Sequence, residues 1–142
     1  MNTSTVMTRD VVVVSPTVTA GIAARMMERR RIRHLPVVEG GRLVGILSDR
    51  DLLKRTPGVS CGAAMTAAPV TCFSNASVSH VAKLMLDHKI DSVPVVSHSG
   101  NLIGLVTSTD LLALLVDQDE AQVLPFDFHL RTAVNDSDPL FD

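Results

Sequence analysis

Two stretches of this 142-residue chain are copies of one another, and an internal duplication limits the possible folds more than any single residue does. With a shift of 58, Met7, Ala24, Met27, Ile32, Pro36, Val37 and Val38 fall on Met65, Ala82, Met85, Ile90, Pro94, Val95 and Val96. After a one-residue insertion the shift becomes 59, and Gly45–Leu52 aligns with Gly104–Leu111. A repeat of fewer than 60 residues lies near the size at which a chain struggles to bury enough apolar surface alone. The halves are therefore expected to share a core and form one globular unit. The boundaries read 1–58 for the first repeat, 59–116 for the second and 117–142 for an acidic extension.

An apolar content of 46% and a mean hydropathy of +0.27 exclude a disordered chain and are rich for a small monomer. Part of that surface is expected to meet another subunit. The longest apolar run, Leu111–Val116, is far short of a membrane span, and the opening MNTSTVMTRD lacks the apolar core of a signal peptide. A cytoplasmic protein without membrane association is expected. Cys61 and Cys72 have no metal-ligand spacing and read as free thiols, while His80, His88, His98 and His129 read as surface residues.

The net charge of −2 hides an asymmetry: residues 1–58 carry ten Lys/Arg against five Asp/Glu, residues 59–116 two against three, and residues 117–142 one against seven. Anions are expected to favour the first half.

Within each half the pattern reads strand, helix, strand, strand, helix. Val11–Val14 is a β-branched run, and Thr17 or Thr19 can cap a helix to about Arg30. Leu35–Val38 and Leu43–Leu47 flank the turn residues Glu39–Arg42 as in a hairpin, and Ser48 opens a last helix. The second half repeats this with Val70–Phe73, a helix from about Ser77 to His88, Val93–Val96, Leu102–Val106 and a helix from Thr107. That final helix carries Leu111–Val116, apolar on every side, which predicts a subunit interface and a homodimer through the long helices. Met26, Met27, Leu84, Met85 and Leu86 read as core or dimer packing.

Ser48 and Asp51, repeated as Thr107 and Asp110, stand three residues apart at helix starts. A helix start exposes backbone N–H groups to a phosphate, the hydroxyl adds a donor, and the carboxylate suits adjacent ribose hydroxyls. The same spacing is that of a capping box, and the two roles are compatible because a carboxylate has spare lone pairs.

The twin segments RIRHLPVVEGGRLVGILSDRDLL and KIDSVPVVSHSGNLIGLVTSTDLL, with their Met7-Thr8 and Met65-Thr66 starts, resemble a tandem pair of CBS domains, the Bateman module. The resemblance covers roughly residues 5–116. It implies an α/β fold of two β-α-β-β-α repeats about a pseudo-twofold axis, with two related clefts. It also implies binding of AMP, ADP, ATP or S-adenosylmethionine without catalysis, and regulation of an attached or partner protein. In the family the matching Ser/Thr and Asp take phosphate and ribose, so those roles carry over to Ser48, Asp51, Thr107 and Asp110.

Around this motif the halves differ. Arg50 follows Asp49, and Arg33 with His34 precedes Leu35-Pro36, where related modules place basic residues that reach phosphates; the second half has Thr109, Asp91 and Ser92 instead. The first-repeat cleft is expected to prefer a di- or triphosphate, and the second to take a less anionic adenosine compound or none. Arg29–Arg31 read as a solvated helix end. With no Trp or Tyr in the chain, the wall for adenine would be Val12, Val13, Leu35, Pro36 and their counterparts Val70, Thr71, Val93 and Pro94, which equally suit plain strand core.

Three function classes follow. The first is a sensor that needs no cofactor, takes an adenine nucleotide as ligand and acts in trans on an unidentified partner. The second is a ligand-free structural or protein-interaction module in which the motifs only cap helices. An enzyme or nucleic-acid binder is least supported, since no catalytic constellation is present and an Arg-rich half attracts phosphates without specificity. In the extension, Val123, Leu124, Phe126, Phe128 and Leu130 are expected to dock on the body or a neighbour, and residues from Asn135 to be disordered.

Overall fold

Hydroxyl side chains start the helices and glycines turn the hairpins, and between them the duplicated pattern becomes two copies of one α/β unit. The computed structural model describes residues 1–118, in the order α1 (Thr3–Val6), α2 (Ala20–Arg30), β1 (His34–Glu39), β2 (Arg42–Ser48), α3 (Asp49–Leu53), α4 (Cys61–Ala64), β3 (Thr66–Ala67), α5 (Val78–His88), β4 (Ser92–Val96), β5 (Leu102–Thr107) and α6 (Ser108–Gln118). Thr19 caps α2 by accepting from the Ile22 N–H at 3.4 Å, and Ser77 caps α5 by accepting from the His80 N–H at 3.1 Å. Both helices end in left-handed residues, Arg31 (φ 53°) and Lys89 (φ 54°), which stand 58 positions apart. A side chain in that region costs about 1 kcal/mol, so the fold imposes the same sharp exit twice.

The exits lead into antiparallel hairpins. Gly40 and Gly41, at φ +59° and +81°, make the two-residue turn between β1 and β2, a backbone that matches the strands' twist and that side chains resist. The β1–β2 register shifts between Val37 and Val38, and the β4–β5 register shifts at the equivalent Val95 and Val96. Val11–Val14 and Val70–Phe73 do not form the strands expected of them. Each makes one parallel bridge, Val14 to Val37 and Cys72 to Val95. In the first run the backbone of Val14 bonds with Pro36 and Val38 at 3.1 and 2.9 Å, while Val11 and Val12 leave the sheet for a cleft wall.

The segments opening each repeat are exchanged. In α1 the Thr3 N–H and hydroxyl both donate to the Ala76 carbonyl, at 2.8 and 2.7 Å, and Thr8 bridges Leu105 on β5. In return Cys61 donates its N–H to Val18 at 2.7 Å, and β3 pairs with β2 through Thr66–Ile46 and Ala67–Gly45. Residues 1–8 thus complete the second repeat, and residues 59–67 the first. The expectation of one shared core is corrected accordingly: there are two. One gathers Val14, Met27, Leu35, Val37 and Leu47 with Cys61 and Ala64; the other gathers Val81, Met85, Val93, Val95 and Val106 with Met7. Exchange, not fusion, gives each small repeat enough apolar cover.

Both cysteines are free and buried, and burial pushes both thiol pKa values up. His80, His88 and His98 are exposed. Within one chain α6 is not buried all round, because Leu112, Leu115 and Val116 are 61, 62 and 71% exposed. No helix among the described residues is long and apolar enough to cross a membrane. The docking and disorder expected of residues 123–130 and 135–142, and His129, lie outside the described residues.

Candidate functional site

The exchange puts two clefts on the seam between the repeats, and each draws its walls from both. The first, about 570 Å³, has Ser48, Asp49, Arg50 and Asp51 on one side. Facing them are Thr66, Ala68, Pro69 and Val70, with Lys89, Ile90, Asp91, Ser92 and Pro94 from the second repeat. The second cleft, about 330 Å³, has Thr107, Ser108 and Thr109 opposite Thr8, Asp10, Val11 and Val12, with Arg31, Ile32, Arg33 and His34 from the first repeat. Shifts of 58 and 59 carry one lining onto the other, so the duplication in the sequence is also a duplication of the cleft.

Each cleft is bordered by the start of one copy of the capping motif. Ser48 accepts from the Asp51 N–H at 3.2 Å, while Asp51 Oδ2 accepts from the Ser48 N–H at 2.9 Å. Thr107 and Asp110 repeat this at 3.4 and 2.8 Å. In each carboxylate Oδ2 is committed, and Oδ1 makes no hydrogen bond among the described residues. A cap therefore leaves one anionic acceptor and one hydroxyl proton unused.

Ala68 sits at φ +47° immediately before Pro69, a conformation disfavoured both for a side chain and before proline. Such strain persists only where the surroundings fix it, and this residue lines the first cleft.

The structure divides the residues chosen from sequence. Ser48, Arg50, Asp51, Val70 and Pro94 line the first cleft, and Val12 and Thr107 the second. Arg33 and His34 border both clefts, which corrects their assignment to the first-repeat cleft alone. Arg31 lines the second cleft and is more than a solvated helix end. Leu35 and Val93 have no exposed surface and Pro36 is fully buried, so these three belong to the strand cores. Val13, Thr71 and Asp110 fall outside both linings, Asp110 acting through its bonds to Thr107. Lys89, Thr66, Thr8 and the strained Ala68 were not signalled, although the 58-residue shift relates Lys89 to Arg31 and Thr66 to Thr8. At the seam His34 Nε2 lies 3.0 Å from Asp91 Oδ1, and Arg33 Nε lies 3.5 Å from Asp49 Oδ2.

The sequence model of the CBS domain matches residues 4–58 and again 61–117. The chain belongs to the CBS domain family. As a CBS pair it is 33% identical over 121 residues to the CBS domain-containing protein YhcV of Bacillus subtilis, covering 81% of this chain and 86% of that one. The inosine-5′-monophosphate dehydrogenase of Thermoplasma acidophilum is 33% identical over 108 residues, 76% of this chain, of which the chain spans 22% of the length. Among solved structures, the CBS domain pair of protein MJ0100 in complex with 5′-methylthioadenosine and S-adenosyl-L-methionine superposes with a TM-score of 0.78 at 28% identity, over 82% of this chain and 97% of that one. CBSX2 in complex with AMP gives 0.76 at 27% identity, over 82% and 96%.

Proposed function

We propose that this CBS pair is a non-catalytic regulatory module that binds adenine nucleotides or S-adenosylmethionine in its two clefts and acts on a partner protein. One observation carries the reading: twice over, a capping carboxylate with an uncommitted oxygen belongs to a motif that opens on a cleft walled by the opposite repeat. Capping accounts for the motif alone but does not call for a cleft beside it. The free Oδ1 suits a ribose hydroxyl, Arg50, Lys89 and Arg33 suit phosphates, and the half-buried Val70 and Ile46 offer adenine an apolar wall. The ligands named for the MJ0100 pair and CBSX2 share adenosine, which supports the ribose and adenine parts of the reading.

The first cleft takes the more highly charged ligand. It has two cations of its own, Arg50 and Lys89, where the second has Arg31, and it is the larger at about 570 against 330 Å³. Calorimetric titration tests the reading. ATP is expected to bind, and 2′-deoxy-ATP to bind about tenfold more weakly, the usual worth of one hydrogen bond to a charged group. No heat from ATP, AMP or S-adenosylmethionine would instead favour a ligand-free interaction module.

The exposed Leu112, Leu115 and Val116 of α6, with Leu86 at 78% on α5, offer a continuation of the apolar content onto a second copy of the chain. A homodimer mass is expected by light scattering, and a monomer at micromolar concentration contradicts it.

A further inference from the structure

Three residues, Arg33, His34 and Asp91, border both clefts, so the two sites share a wall. Arg33 and Asp91 are the same position of the two repeats, one cationic and one anionic, and His34 joins them by its 3.0 Å contact with Asp91. The backbone of each is tied to a motif helix. The Arg33 carbonyl accepts from the Asp49 N–H at 3.0 Å at the start of α3, and the Asp91 carbonyl accepts from the Ser108 N–H at 2.9 Å at the start of α6. Arg33 therefore anchors one cleft's motif through its backbone, reaches Asp49 with its guanidinium at 3.5 Å, and borders both clefts.

A single guanidinium cannot neutralise two phosphate groups as well as it neutralises one. Phosphates on either side of one side chain lie within about a Debye length, ~10 Å at 0.1 M salt, so their repulsion is poorly screened. Asp91 borders both clefts too and opposes any phosphate that Arg33 does not hold.

We propose that the clefts are antagonistically coupled through Arg33: a phosphate-bearing ligand in one weakens the other's hold on a second phosphate, whereas an uncharged adenosine compound escapes the penalty. The doubly loaded state is then one nucleotide plus one less anionic ligand. This rests on the nucleotide-binding reading and deepens it.

The test compares ATP and adenosine titrations of the full chain with those of Asp51→Asn, which disables the first cleft, and of Val12→Trp, which fills the second. The weaker ATP site of the unmodified chain is expected to have a Kd at least about fivefold above that of the same cleft when its neighbour is disabled, within the usual range of coupling between sites. Adenosine is expected to show no such gap. Arg33→Ala, at an exposed side chain, narrows the gap for ATP by removing the competition for one guanidinium, and Arg33→Lys keeps it. Equal Kd values in the unmodified chain and the single-cleft variants would overturn the coupling alone, as would a gap undiminished in Arg33→Ala. Absence of ATP binding in every protein would overturn the coupling together with the reading beneath it.

Discussion

Replacing Gly45 with valine is expected to lower the melting temperature by roughly 10 °C, the consequence of about 3 kcal/mol of overpacking. Gly45 lies buried in the middle of β2, with Val37 of β1 on one side and Ala67 of β3 on the other. A Cβ there would run into Met65 Sδ, come within 2.8 Å of Met65 Cγ and sit 2.9 Å from the Thr66 carbonyl oxygen. The thioether end can swing aside, but the carbonyl cannot without parting β3 from β2. Gly104, the equivalent position, leaves 3.2 Å to the Thr8 oxygen, so Gly104→Val should cost less. Thermal unfolding by circular dichroism gives both values. A drop under about 2 °C for Gly45→Val would mean that the exchanged segment is held loosely.

The second large effect falls on binding. Asp51→Asn is expected to reduce ATP affinity at the first cleft about tenfold to a hundredfold, with a change in stability of about 1 kcal/mol or less. The asparagine carbonyl still accepts from the Ser48 N–H, so the cap survives. What disappears is the charge and the free Oδ1, replaced by an N–H₂ that cannot accept from ribose. Asp51→Ala removes cap and acceptor together and should cost both stability and affinity. Unchanged ATP affinity in Asp51→Asn, measured calorimetrically, would restrict Asp51 to helix capping.

Where the chain's signals are local, the sequence predicted its structure closely. Thr19, Ser48 and Ser77 cap the helices they precede, and Gly40-Gly41 turns the hairpin it interrupts, because each acts on backbone within four residues. The two-residue β3 and the four-residue α1 and α4 are too short to show a period. Adenine wall and strand core could not be told apart for a related reason. All five residues of β4 are buried, so Val93 and Pro94 carry no alternation to separate inward from cleft-facing positions. The larger gap concerns which copy faces which. An internal alignment shows that Arg31 and Lys89 are equivalent, but not that Lys89 stands across from Ser48 and Arg31 across from Thr107. That relation depends on the exchange of opening segments, a long-range contact with no local signature.

The exchange also sets an order of events during synthesis. The first repeat lacks its β3 edge and the cover of Cys61 and Ala64 until those residues leave the ribosome, by which time the second repeat has begun. Thr3 and Met7, made earlier, must wait for Ala76 and Val106. Such long loops close slowly, and apolar side chains such as Met7 stay uncovered meanwhile. The first core can close once residue 67 is out, whereas residues 1–8 wait for the second repeat, so segments far apart in the order of synthesis finish together.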